Sequence, residues 1–273
     1  MQNFSASPRE MIASLWRNKG LIRSLVHREV VGRYKGSMLG IFWSLVTPVF
    51  MLGVYTFVFS VVFKARWGAG GEDSKSEFAL VLFAGLLVFN LFAECVNRAP
   101  GLVLANVNYV KKVVFPLEVL PWVAMGSALF HFVVSLGVWL VAFVLLVGMP
   151  HWTILLSPLV MAPFVLFVMG LSWALASLGV FLRDVGHIIG IAVQMLMFLT
   201  PIFYPASALP ERFQTVMFLN PMTLPVEMMR DVLYGGRLPS LQPWLLGSVV
   251  SVVVAVLGFT WFQKTRKGFA DVL

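Results

Sequence analysis

Six stretches of the chain, each near or above the ~20 residues an α-helix needs to cross a ~30 Å hydrocarbon core, are almost free of Lys, Arg, Asp and Glu. They run over 38–63, 78–97, 119–147, 152–182, 185–205 and 244–262. A soluble domain carries ~25% charged residues, whereas this one has 12% charged and 59% apolar residues, concentrated in those blocks. Transmembrane strands would be ~10-residue segments of strict alternation, which these are not. The pattern therefore predicts an all-α polytopic membrane protein of six transmembrane helices. Pro48, Pro158, Pro163 and Pro201 mark expected kinks.

The charges orient the bundle. Fourteen of the 20 Lys and Arg residues fall before the first block, in the 94–118 loop, at Arg183 and after the last block. The six on the other side are matched by six acids, so the whole net charge of +8 lies on one face. The positive-inside rule makes that face, and both termini, cytoplasmic. A bundle so oriented explains a basic chain without nucleic acid. Cys95, the single cysteine, allows neither an internal disulfide nor a metal cluster.

Residues 1–37 read as cytoplasmic helices ahead of a membrane domain at 38–273. Ser7-Pro8-Arg9-Glu10 is a capping box with Pro at the first helical position, and Gly20 is a candidate stop. A second, amphipathic interface helix sets Leu21, Leu25, Val26 and Val30 against Arg23, Arg28, Arg33 and Lys35, and would lie in the headgroup plane. The 94–118 loop is longer than a connection requires. Its Leu102, Val103 and Val107 need burial, either back on the spans or in another chain. On the outer side, 206–242 is apolar but interrupted, and 210–219 and 224–234 read as short re-entrant helices. Glu227, Arg230 and Asp231 share a face of the second one, as a salt-bridged cap or a gate.

No H-x-x-x-x-D, H-E-x-x-H, D-x-D or G-x-x-x-x-G-K-[ST] string occurs, so acyl transfer, zinc hydrolysis, sugar transfer and ATP binding have no identifiable site here. His131, mid-way along the third block, is either a packing residue or part of a path. Aromatics dominate the first block. Trp43, Phe50 and Phe57 repeat every seven residues on one stripe, and Tyr55, Phe59 and Phe63 every four on another. Either could line a route for sugars, whose C–H faces stack on rings, or serve as ordinary packing.

Several strings together resemble one family. Arg33-Tyr34-Lys35-Gly36-Ser37-Met38-Leu39-Gly40 followed by Trp43 and Pro48, then Phe115-Pro116-Leu117-Glu118, Arg183-Asp184-Val185, Pro201-Ile202-Phe203-Tyr204-Pro205 and Asn220-Pro221-Met222-Thr223 are similar, in order and spacing, to ABC-2 type permeases that export O-antigen, teichoic acid or capsule. The resemblance implies a homodimer, with each subunit binding one copy of a cytoplasmic ABC ATPase that carries the ATP and Mg, so that no cofactor sits on this chain and no catalysis occurs in it. It implies a substrate glycan on a lipid such as undecaprenyl diphosphate, in the bacterial cytoplasmic membrane and among its lipids. By position, Arg98, Leu102, Val103 and Val107 would form the coupling segment, Arg28, Arg33 and Lys35 would meet the diphosphate, and Glu227, Arg230 and Asp231 would belong to the outer gate. Trp43, Phe50, Tyr55, Phe57, Phe59 and His131 would border the path. A related permease for a drug or simple lipid, and a membrane-embedded glycan-modifying enzyme, are the alternatives.

Overall fold

A computed structural model describes residues 6–62, 74–110, 115–217 and 219–273, and among them every regular element is helical. Helix α1 (Pro8–Arg17) starts as the capping box predicts: Ser7 Oγ accepts the Glu10 N–H at 3.2 Å, with Pro8 in the first turn. Its end differs. Asn18 closes the helix, its side-chain amide donating back to the Ser14 carbonyl at 2.9 Å, and Gly20 falls inside the first turn of α2 (Lys19–Tyr34). An amide that can reach the last carbonyls replaces the glycine stop.

Helix α2 does not lie flat. Val26 packs so closely on Gly126 that a Cβ there would come within 2.5 Å of it, and Arg33 reaches His131. These contacts advance along α6 (Leu120–Leu146) in the same direction as along α2. His131 lies eleven residues beyond Leu120, ~16 Å at 1.5 Å per residue. The C-terminal end of α2 is therefore carried alongside a span, because the apolar stripe expected to face lipid meets a small residue on α6 and packs there instead. Gly36, at φ 87°, then turns the chain into the first span, a left-handed conformation that favours glycine.

The spans are α3 (Trp43–Tyr55, prolonged by a π-turn over Thr56–Val62), α4 (Ser74–Arg98), α6, α7 (Ser157–Phe181), α8 (Val185–Leu199) and α11 (Leu241–Thr265). Five of these helical segments are long and apolar enough to cross a membrane; α8, with 15 residues, covers ~22 Å. The expected 185–205 block stops short because Thr200 Oγ1 bonds back to Leu196 O at 2.7 Å and Pro201 cannot extend the ladder. Short helices α5 (Val107–Val110), α9 (Glu211–Met217), α10 (Thr223–Leu233) and α12 (Phe269–Val272) complete the chain.

Helix α4 is the axis of the bundle. Its apolar stretch is 83% buried, enclosed by α6, α8, α10 and the π-turn, whereas that of α3 is only 11% buried. Helices α7 and α11 touch backbone to backbone: a Cβ at Gly258 would overlap the Gly170 carbonyl, the close approach that small residues permit between membrane helices. The two aromatic stripes of the first span thus meet different surroundings.

Candidate functional site

Trp43, Phe50 and Phe57 point away from the chain's own core, with Phe50 69% and Phe57 60% exposed. Together with Val49, Gly53 and Val54, the two phenylalanines border a shallow groove. Tyr55 and Phe59 pack inward instead. Phe59 stacks between Phe78 and Phe203 at centroid distances of 5.5 and 5.7 Å, joining the first span to α4 and to the turn after α8. The inward stripe is packing, so the outward one is the surface left to meet something else. Phe63 lies outside the described residues.

His131 is not a lone polar residue in its span. Glu94 Oε2 contacts its Nδ1 at 3.0 Å, Tyr34 Oη lies 3.0 Å from its Nε2, and Arg33 Nη2 pairs with Glu94 Oε1 at 2.7 Å. The cluster joins α2, α4 and α6. Glu94, expected at the start of a loop, sits in the last turns of α4 and neutralises Arg33 among the apolar spans, where an unpaired charge would be costly. Arg33 is thereby engaged within the chain. Lys35 is exposed in the turn before α3, and Arg28 is exposed on α2, donating to the Tyr109 hydroxyl at 3.0 Å.

The segment after α4 also folds back. Leu102 and Val103 are buried in the chain's own core, so a docking role for those two side chains gives way to packing; Val107 is half-buried in α5. The physical reason is the approach of the segment to α7, where the Pro100 carbonyl lies so near Gly179 that a Cβ would overlap it. Arg98 ion-pairs with Glu29 of α2.

On the opposite face, Arg230 does more than cap a helix. Its guanidinium is buried and donates to the carbonyls of Val81 (3.1 Å), Pro201 (2.5 Å) and Ile202 (2.6 Å), and to Glu227 Oε1 (3.1 Å). Burial draws its pKa down to about 10, and the group stays charged at neutral pH. Burial also pushes Glu227 and Asp231 up, the first opposed by Arg230 and the second by Arg237. One side chain on α10 thus ties α4 to the turn that ends α8.

The ABC-2 type transporter family matches residues 20–234, well over half of the chain. The chain belongs to that family. The match to ABC-2 transporters runs from α2 through α10, the elements that carry both polar clusters and the exposed aromatic face. The relatives are similar over nearly their whole length. An O-antigen export system permease protein, RfbA, of Myxococcus xanthus is 30% identical over 96% of this chain and 98% of its own. RfbA of Klebsiella pneumoniae is 27% identical over 93% and 95%. The capsule polysaccharide export inner-membrane protein CtrC of Neisseria meningitidis is 22% identical over 94% and 95%.

Within this ABC-2 chain, two residues escaped the sequence reading of function. For Glu94 the available signal is its place as the lone acid in the 78–97 apolar block. Glu118 was seen only as part of a motif, yet it is buried and joins three distant elements. Ser14 Oγ donates to it at 3.0 Å, Arg266 pairs with it at 2.6 Å, and Trp173 Nε1 donates to its backbone carbonyl at 3.1 Å.

Proposed function

We propose that the chain is the permease subunit of an ATP-binding cassette exporter that carries a polysaccharide, linked to a lipid such as undecaprenyl diphosphate, out across the bacterial cytoplasmic membrane. Two copies pair, and each binds a separate cytoplasmic ATPase that holds ATP and Mg. The observation that carries this reading is the outward aromatic stripe of α3, set in a chain similar from end to end to O-antigen and capsule export permeases. A long polar chain needs surfaces that hold it loosely at successive positions, and ring faces do so without the deep wells of charged groups. In a bacterium lacking its own O-antigen permease, this chain co-expressed with the ATPase encoded beside it is expected to restore surface polysaccharide. Accumulation of lipid-linked glycan inside the cell, with both proteins present at normal levels, would refute the reading.

The orientation that goes with this function puts both termini inside and 206–242 outside. Single cysteines at Arg9 and Leu238, both exposed positions, give the check. An impermeant maleimide applied to intact cells or spheroplasts should label only the Leu238 variant, and the Arg9 variant only after the membrane is opened. The reverse pattern would invert the topology.

A further inference from the structure

Glu29 and Arg33 lie one turn apart on α2, and Glu94 and Arg98 one turn apart on α4. Glu29 pairs with Arg98, and Arg33 Nη2 with Glu94 Oε1 at 2.7 Å, so the two helices run antiparallel and are joined by two rungs. The rungs have opposite polarity: the acid is on α2 in the first and on α4 in the second. All four side chains are only 19 to 37% exposed, so water and salt screen them in part at most.

Apolar packing alone fixes poorly where α2 sits along α6. Val26 fills the space over Gly126, and Ile22 and Val30 stand one turn to either side of it with the same branched shape. A slide of one turn, four residues or ~6 Å, puts one of them over Gly126 in its place. One-turn steps of this kind are a known mode of helix movement, and polar groups at chosen positions are what single out one register on a repeating apolar stripe. The order of the charges does so here. A slide in one direction sets Glu29 against Glu94, and in the other Arg33 against Arg98, so either step brings like charges together and remakes neither rung. Had α2 carried two acids and α4 two bases, one rung would re-form after either step. Tyr34 Oη and Arg33 also reach His131, contacts that a slide breaks without creating repulsion.

We propose that this alternating ladder locks α2 in a single register on α4 and α6, with Glu29 and Arg98 as positioning residues, and so makes α2 a strut. A displacement at the Asn18 end of α2 is then passed to α4, the axis of the bundle, instead of being lost in a one-turn ratchet.

The test reads the distance between spin labels at Ser24→Cys and Val141→Cys, both exposed positions, in the purified full chain in nanodiscs with Cys95→Ala as background. Val141 lies fifteen residues, ~22 Å, beyond Gly126 on α6, so the separation runs largely along the helices and follows a slide. The unaltered ladder is expected to give one distance. Glu29→Arg with Arg98→Glu keeps opposite charges on both rungs but makes their polarity uniform, and is expected to add a second population displaced by ~6 Å. Glu29→Gln with Arg98→Gln removes one rung and both repulsions, strands no charge, and is expected to add the same population. Glu29→Arg alone is expected to enlarge it, because the new cation faces Arg98 in the native register and meets Glu94 after the slide. A pair that only stabilised the fold would, when lost, lower the unfolding midpoint and leave the distance single. A single undisplaced distance in all three variants, whatever their midpoints, would overturn the proposal and assign the register to the Val26–Gly126 fit and the His131 contacts. Two distances in the unaltered ladder would overturn it as well, since α2 would then be a ratchet. If the Arg/Glu exchange does not fold, the Gln pair decides by the same criterion. The permease is measured alone, so the outcome is independent of whether it restores surface polysaccharide.

Discussion

Arg230→Met is expected to lower the unfolding midpoint of the purified subunit by on the order of 10 °C and to abolish its export function with it. The side chain it replaces is nearly volume-matched, so the loss is not one of packing. Three carbonyls, those of Val81, Pro201 and Ile202, lose a charged donor at once in a buried setting. Val81 O keeps the N–H of Gly85 within α4, so two buried acceptors, on Pro201 and Ile202, are left unmet at ~1–3 kcal/mol each, a total on the order of 4 kcal/mol and a large part of a protein's whole margin. Glu227 is left without its partner, but its side chain is 42% exposed and water can solvate it. Arg230→Lys keeps the charge but not the planar fork, cannot reach three carbonyls, and should fall between the two. A Met variant as stable as the wild type would mean that the contacts of Arg230 with α4 and with the turn after α8 do not hold that end of the bundle together.

Much of the architecture was legible because its causes are local. Long blocks without charge can only be helices in lipid, Pro8 and Ser7 fix where α1 begins, and Pro201 fixes where α8 yields to a turn. What was not legible depends on which faces meet. The apolar stripe of α2 reads as lipid-facing, since a sequence shows that a face is apolar but not whether lipid or Gly126 covers it. Leu102 and Val103 were likewise known to need burial, and only the approach of their segment to Gly179 decides that the chain buries them itself. Polar partners are harder still. Glu94 and Arg33 are 61 residues apart, Ser14 and Glu118 104, and no periodicity links them. The aromatic positions read as two stripes, and dividing the described ones into an inward and an outward set required the fold.

That division turns the aromatic stripe into a discriminating experiment. Phe50→Leu and Phe57→Leu keep an apolar side chain at exposed positions, so neither should disturb folding, and the subunit is expected at normal levels in the membrane. What each variant removes is a flat ring, worth ~1 kcal/mol in a stacked contact. If α3 borders the route of the glycan, the double variant loses two such contacts per subunit, and its surface polysaccharide is expected to fall by about tenfold or more. Phe59→Leu is the counterpart. Its ring is stacked between Phe78 and Phe203, so its loss should appear as a lower unfolding midpoint while export per folded subunit is unchanged. Full export from the Phe50/Phe57 double variant would remove the outward stripe from the path. A fall in export per folded subunit from Phe59→Leu alone would place the route on the inward side of α3, between it and α4.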